Sequence, residues 1–230
     1  MKAAHATLEA ALDHRFADPD LLVAALSHSS LGRRGNAQRS GADFERLEFL
    51  GDRVVALAVA ELLTERFPTE AEGDLAKRHA FLVRGEQLAE HARKLGIGEA
   101  LTLSTSENQG GGRDNPAVLA DAFEAVIAAV HLDGGFAVAR EIVRRLFAPL
   151  VIAETEPPRE PKTSLQEWAQ GRGLALPRYR TLLREGLAHA PRFTVEVTVD
   201  GHLPETAEGT SKREAERAAA AALLARLEAK

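Results

Sequence analysis

Three prolines within seven residues, TEPPREP at Thr155–Pro161, divide this 230-residue chain into two texts with different grammars. Each proline lacks an amide proton and fixes its φ, so no helix runs through the stretch, and its composition is that of an extended, semi-rigid linker. Before it the apolar residues recur almost entirely at helical spacing, in LEAALDHRF, PDLLVAALS, FERLEFLGDRVVALAVAELLTERF, EGDLAKRHAFLVRGEQLAEHARKLG, AVLADAFEAVIAAVHL and FAVAREIVRRLFAPLV. After it KTSLQEWAQGRG reads as a short helix, YRTLLRE and RFTVEVTVDG as strands, HLPETAEG as a weaker third strand, and SKREAERAAAAALLARLEA as a helix. The expected architecture is an all-α domain over residues 1–153, a linker over 154–160, and a small α+β domain over 161–230 in the order α-β-β-β-α.

The charge is split in the same place. Residues 159–230 carry 12 Lys and Arg against 10 Asp and Glu, a net of +2, whereas the whole chain is −5, which leaves −7 for residues 1–158. A polyanion must therefore be met through local basic spots or through metal ions. There is no cysteine, which excludes disulfides, thiolate catalysis and cysteine-ligated zinc. No apolar run approaches the ~18 residues of a membrane span, and MKAAHATLEAALDHRF is interrupted by Glu9 and Asp13. The expectation is a cytoplasmic protein without a membrane partner. LSTSENQGGGRDNPAV has three consecutive glycines but no GK[ST], so it reads as a loop, and no nucleotide cofactor is expected.

The candidate chemistry lies in carboxylates placed where a core should be. In ERLEFLGDR, residues 45–53, the residues Glu45, Glu48 and Asp52 fall at about 0°, 300° and 340° on a helix advancing by roughly 100° per residue. They form one stripe leading into VVALAVA. A second pair, Asp121 and Glu124, stands three apart in the apolar helix LADAFEAVIAAV. Ionised carboxylates in such surroundings cost several kcal/mol unless a cation or hydrogen bonds compensate. If the helices cross, Glu48, Asp52, Asp121 and Glu124 make an all-oxygen cage of the kind Mg²⁺ or Mn²⁺ prefers. Pairing with Arg46, Arg53 and Arg113 is the structural alternative, but two pairs at helical spacing within core helices favour metal.

These stretches resemble the ribonuclease III family. ERLEFLGDRVVALAVAELL is similar to its signature, and GGRDNPAVLADAFEAVIAAVHLDGG to its second acidic motif; ALSHSS and AEGDLAKRHAFLV fit in the same order. PKTSLQEWAQ, HAPRFTVEV and GTSKREAERAAA resemble the double-stranded RNA-binding domain of its bacterial members. The resemblance spans about Leu8 to Leu227. It implies a Mg²⁺-dependent endonuclease of double-stranded RNA, with Mn²⁺ as a substitute, that processes ribosomal and other precursors and leaves 5′-phosphate and 3′-hydroxyl ends. Glu48, Asp52, Asp121 and Glu124 are then the metal ligands, with Asp52 and Glu124 catalytic, and Glu45 and Glu72 supporting acids near the cleft. Cutting both strands with one acidic site per chain implies a homodimer. Apolar residues such as Phe44 are candidates for its interface, or equally for burial within one protomer.

For the second domain the resemblance assigns Thr163, Gln166 and Glu167 to one minor groove, His189 to the next, and Ser211, Lys212 and Arg213 to phosphates at a helix start. A solvated helix end is the alternative for the two cations. Two departures stand out: Arg53 replaces a frequent serine, and Glu216 stands where strong binders often carry a basic residue, so modest affinity is expected. The rival function is a catalytically silent double-stranded RNA-binding protein of the same fold.

Overall fold

The structure, a computed structural model, describes residues 2–32, 41–153, 160–187 and 190–229. The chain forms two compact units, Met1–Pro158 and Arg159–Lys230.

Among the described residues of the first unit the helices are α1 (Lys2–Leu12), α2 (Pro19–Ala25), α3 (Gly41–Arg66), α4 (Glu72–Leu82), α5 (Gly85–Leu95), α6 (Ile97–Ala100), α7 (Thr105–Gln109), α8 (Pro116–Gly134) and α9 (Phe136–Ala153), with a 3-10 turn at Ser29–Leu31. The unit is built around α8. From Val118 to Val130 only Asp121 and Glu124 escape full burial, because α2, α3, α5 and α9 all pack against this helix. Asn115 caps it by accepting from the Ala117 amide at 3.0 Å, and Pro116 occupies the first turn, where a missing amide proton costs nothing. The 26-residue α3 lies alongside, burying Phe44, Leu47, Val54, Val55, Ala58, Val59, Leu62 and Leu63. Ion pairs Arg144–Glu65 at 2.6 Å and Arg140–Glu61 at 3.7 Å tie α3 to α9 at the surface.

Three local readings change. The segment EGDLAKRHAFLVRGEQLAEHARKLG is two helices, because the chain leaves helical geometry at Val83 and Arg84 before Gly85 starts α5. LEAALDHRF is helical only to Leu12: Asp13 takes a left-handed φ of 56°, and Arg145 donates to the carbonyls of Ala11 and Leu12 that the ended helix leaves open. The stretch read as a loop after Leu103 contains α7, since Ser104 accepts from the Glu107 amide and so nucleates one turn.

The second unit is α10 (Pro161–Gln170), β1 (Arg178–Leu187), β2 (Ala190–Thr198), β3 (Glu205–Gly209) and α11 (Lys212–Glu228). The strands form an antiparallel sheet in the order β1-β2-β3, with Tyr179 opposite Val197 and Val195 opposite Ala207. One face buries Val195, Val197 and, just beyond β2, Val199; the other carries Arg180–Glu196 and Arg192–Glu208 pairs. Leu165 and Ala169 from α10 and Ala219, Ala220, Leu223 and Leu224 from α11 complete this core. Small side chains let α11 lie close, and Gly209 makes that possible: a Cβ there would stand 2.5 Å from the Ala215 amide nitrogen. Trp168 packs against this core, with Arg172 4.1 Å from its ring centroid.

Candidate metal centre and RNA-facing surface

The crossing of α3 and α8 brings three carboxylates together. Glu48, Asp121 and Glu124 each offer an oxygen, and these atoms all lie within 4.8 Å of one another. The crossing is this close because of Gly51. Its Cβ position would lie 1.9 Å from the Glu124 carbonyl oxygen, so only glycine lets the α3 backbone rest against the α8 backbone at this level. Glu48 stands one turn before Gly51, on the face that meets Asp121 and Glu124.

Three half-buried acids so close disfavour one another's ionisation. Burial, followed by the charges of Asp52, Asp121 and Glu48, pushes the Glu124 carboxyl up to about 8, although Arg53 opposes this. Burial also raises Glu48, with Asp121, Glu45 and Asp52 adding to the effect, and it raises Asp121, against which His28 acts. The donor set is all oxygen, converges from two rigid helices and carries repulsion that a divalent cation would relieve, which is the fit expected for Mg²⁺ or Mn²⁺.

Asp52 faces the same region, and its charge bears on Glu124, but its carboxylate is engaged by Arg53 Nη1. The arginine alternative therefore applies to this one acid. Arg53 also stacks over the Phe49 ring at 4.3 Å. Arg113 is not a partner of the second pair: it donates to Gly98 O and Asn108 Oδ1, both at 2.7 Å, and braces the turn before α8. Glu45 is exposed one turn before Glu48. Glu72 opens α4, exposed, and is not among the charges acting on Glu48, Asp121 or Glu124.

Two contributors escaped the pattern reading. His28, in ALSHSS, accepts from the Ser30 amide at 3.2 Å and leans edge-on against Phe44. It acts on Asp121 across a fold contact with no sequence periodicity behind it. Gly51 was visible as a glycine within a core helix, a placement that signals close backbone approach. Phe44 itself is 1 % exposed, so it belongs to the protomer core, whereas Phe49 at 65 % and Leu57 at 52 % point outward from α3.

In the second unit Thr163, Gln166 and Glu167 share one exposed face of α10, opposite the buried Leu165 and Ala169. Ser211 caps α11 by accepting from the Glu214 amide at 3.2 Å, and Lys212 and Arg213 follow it, exposed, in the first turn. His189 lies outside the described residues.

A helical unit with an acidic, oxygen-only cluster able to hold a metal ion, joined to an α-β-β-β-α module with cations at a helix start, has the parts of a nuclease with its own nucleic-acid reader. Residues 18–150 match the family model described as ribonuclease-III-like, and residues 161–227 match the double-stranded RNA-binding motif. The chain is 52 % identical over 217 residues to Ribonuclease 3 of Rhodobacter capsulatus, covering 94 % of this chain and 93 % of that one. It is 49 % identical over 225 residues to Ribonuclease 3 of Caulobacter vibrioides, covering 97 % and 96 %. The nuclease domain of ribonuclease III from Campylobacter jejuni superposes with a TM-score of 0.57 at 40 % identity, covering 62 % of this chain and 95 % of that one. The chain belongs to the ribonuclease III family.

Proposed function

We propose that this protein is a homodimeric endoribonuclease that hydrolyses double-stranded RNA, including ribosomal and other structured precursors, at a Mg²⁺ site formed by Glu48, Asp52, Asp121 and Glu124. The observation that carries the reading is the convergence of three carboxylates from α3 and α8 within 4.8 Å, in a chain that also holds a double-stranded RNA-binding module. A divalent cation held there would acidify a water and offset phosphate charge, with Mn²⁺ able to replace Mg²⁺. Glu48, Asp121 and Glu124 would hold that cation on two rigid helices, and Glu124, raised to about 8 in the metal-free site, would give up its proton on binding it. Asp52 and Glu124 carry the catalytic role; Glu45 and Glu72 shape the acidic surround. The products are 5′-phosphate and 3′-hydroxyl ends.

The domains divide as 1–153, 154–160 and 161–230. In the second, Thr163, Gln166, Glu167 and His189 meet the minor grooves, and Ser211, Lys212 and Arg213 meet phosphates. Because the chain has a single acidic cluster among its described residues, two protomers serve the two strands. The exposed Phe49 and Leu57 support a dimer face on α3, and the Campylobacter jejuni domain is itself described in terms of a region involved in dimer formation. No described helix is long and apolar enough to cross a membrane, and the absence of cysteine supports a cytoplasmic setting.

The test is cleavage of a perfect RNA duplex beside the same sequence as DNA duplex and as single-stranded RNA, with Mg²⁺ and with chelator. Metal-dependent cutting of duplex RNA alone is expected; cutting in chelator, or of DNA, refutes the assignment.

A further inference from the structure

The acid Glu216 lies among the cations assigned to RNA. Its carboxylate is only 15 % exposed and stands 2.6 Å from Lys162 Nζ on α10 and 3.9 Å from Lys212 Nζ on α11. The two lysines are held unequally. Lys162 is half-buried and also lies 4.6 Å from the centroid of the Tyr179 ring, so it has two partners in a fixed place. Lys212 is exposed, sits at the longer distance and has a free path to solvent. Arg213 beside it is exposed and pairs with no carboxylate among the described residues.

Electrostatics gives this arrangement a direction. Lys162 and Lys212 occupy the first turns of α10 and α11, where a positive charge opposes the helix dipole, and Lys212 precedes Glu216 by four residues, the less favourable order for such a pair. Both lysines are thus cations that need a nearby anion, and Glu216 supplies it from within the protein. An RNA phosphate arriving at the start of α11 would supply the same charge to Lys212, but not to Lys162, which is fixed between Glu216 and Tyr179.

We propose that Glu216 is a resident stand-in for phosphate that sets the strength and salt dependence of duplex RNA binding. It keeps Lys162 as a strut between α10 and the sheet and surrenders Lys212 to the RNA backbone. Each binding event therefore breaks one internal ion pair, and the module binds more weakly than its basic residues alone would allow. The proposal rests on the reading that the start of α11 meets phosphates.

The test uses the full chain in chelator, so that no duplex is cut, with a fluorescent RNA duplex titrated by anisotropy over a salt series. Glu216→Gln keeps the shape and hydrogen-bonding capacity but removes the charge. It is expected to bind about three- to fivefold tighter at low salt. The slope of log K against log salt should steepen by up to ~0.9, because the binding face then presents one more net positive charge to the phosphates. Equal or weaker binding with an unchanged slope, as a purely structural tie between α10 and α11 would give, overturns the proposal. The gain should vanish when Lys212→Gln is added, and its persistence also overturns the proposal.

A second variant does not disturb the buried pair. Lys212→Gln in the native background should lose less affinity than Arg213→Gln, because Lys212 must first leave Glu216; an equal or larger loss counts against the idea. Arg213→Gln separates the two levels of argument. If it binds like the native chain, the phosphate reading of α11 fails and the proposal falls with it. If it binds more weakly while Glu216→Gln gains nothing, only the role of Glu216 fails.

Discussion

Replacing Glu124 with glutamine should abolish cleavage and yet stabilise the metal-free protein. In the folded chain burial and three neighbouring carboxylates hold the Glu124 proton until about pH 8, whereas the unfolded chain releases it near its ordinary value of 4.5. Between these two values the unfolded state has lost a proton that the folded state retains. Native stability from this group is therefore fully present below pH 4.5 and declines as the pH rises through 8. Retaining a proton for one pH unit beyond its ordinary range corresponds to about 1.4 kcal/mol. Solvent screening at this half-buried position reduces the total to about 2 kcal/mol at pH 8. Glu124→Gln removes the effect, so its advantage over the native chain should be near zero at pH 4.5 and reach about 2 kcal/mol at pH 8. In a domain of this size that corresponds to a midpoint higher by about 4–8 °C.

Thermal melts of the nuclease-domain transition in chelator, at several pH values between 4.5 and 9, read this directly. Adding Mg²⁺ should reverse the order, because the cation stabilises the native carboxylates and has lost a ligand in the variant. A difference that does not vary with pH, or a variant less stable throughout, would refute the reasoning about crowded acids.

The same geometry sets further expectations. Metal binding at pH 7 should release close to one proton from Glu124, seen as a dependence of calorimetric heat on buffer ionisation enthalpy; heat independent of buffer would contradict this. Gly51→Ala forces α3 away from the Glu124 backbone, so it should cost roughly 3 kcal/mol or more and weaken Mn²⁺ binding; near-native values for both would show that the helices do not touch there. His91 is buried against Phe123 and Phe147, and burial holds its imidazole down at about 4. Unfolded histidine takes up its proton near 6.5, so this stability is lost as the pH falls from 6.5 towards 4, and His91→Phe should flatten that part of the acid unfolding curve. Phe49→Glu should shift the sedimentation of the protein from dimer to monomer while leaving the protomer's helical content unchanged.

The periodicity of the chain was enough to determine the helical character before the prolines and the β-rich character after them, because apolar spacing directly records which face of each element is buried. The acids of the α3–α8 cluster stood out for the same reason: a carboxylate among apolar core positions violates the pattern around it. Element ends were less legible. The end of α1 depends on Arg145, more than 130 residues away, reaching the open carbonyls of Ala11 and Leu12. Phe44 and Phe49 have the same hydrophobicity and lie in the same helix, yet one is core and the other outward-facing, a difference set by what packs beside them.

Only the tertiary structure decided how the acids are grouped. Sequence spacing placed Glu48 with Asp52 on one helix and Asp121 with Glu124 on another. The crossing at Gly51 brought Glu48, Asp121 and Glu124 within reach of one ion, while Arg53 engaged Asp52. It likewise gave Glu216 two lysine partners, one of them 54 residues distant in the chain. Residue type and spacing determine which charges share a helix face; the distance between helices, set by side chains as small as a single hydrogen, determines which of those charges meet.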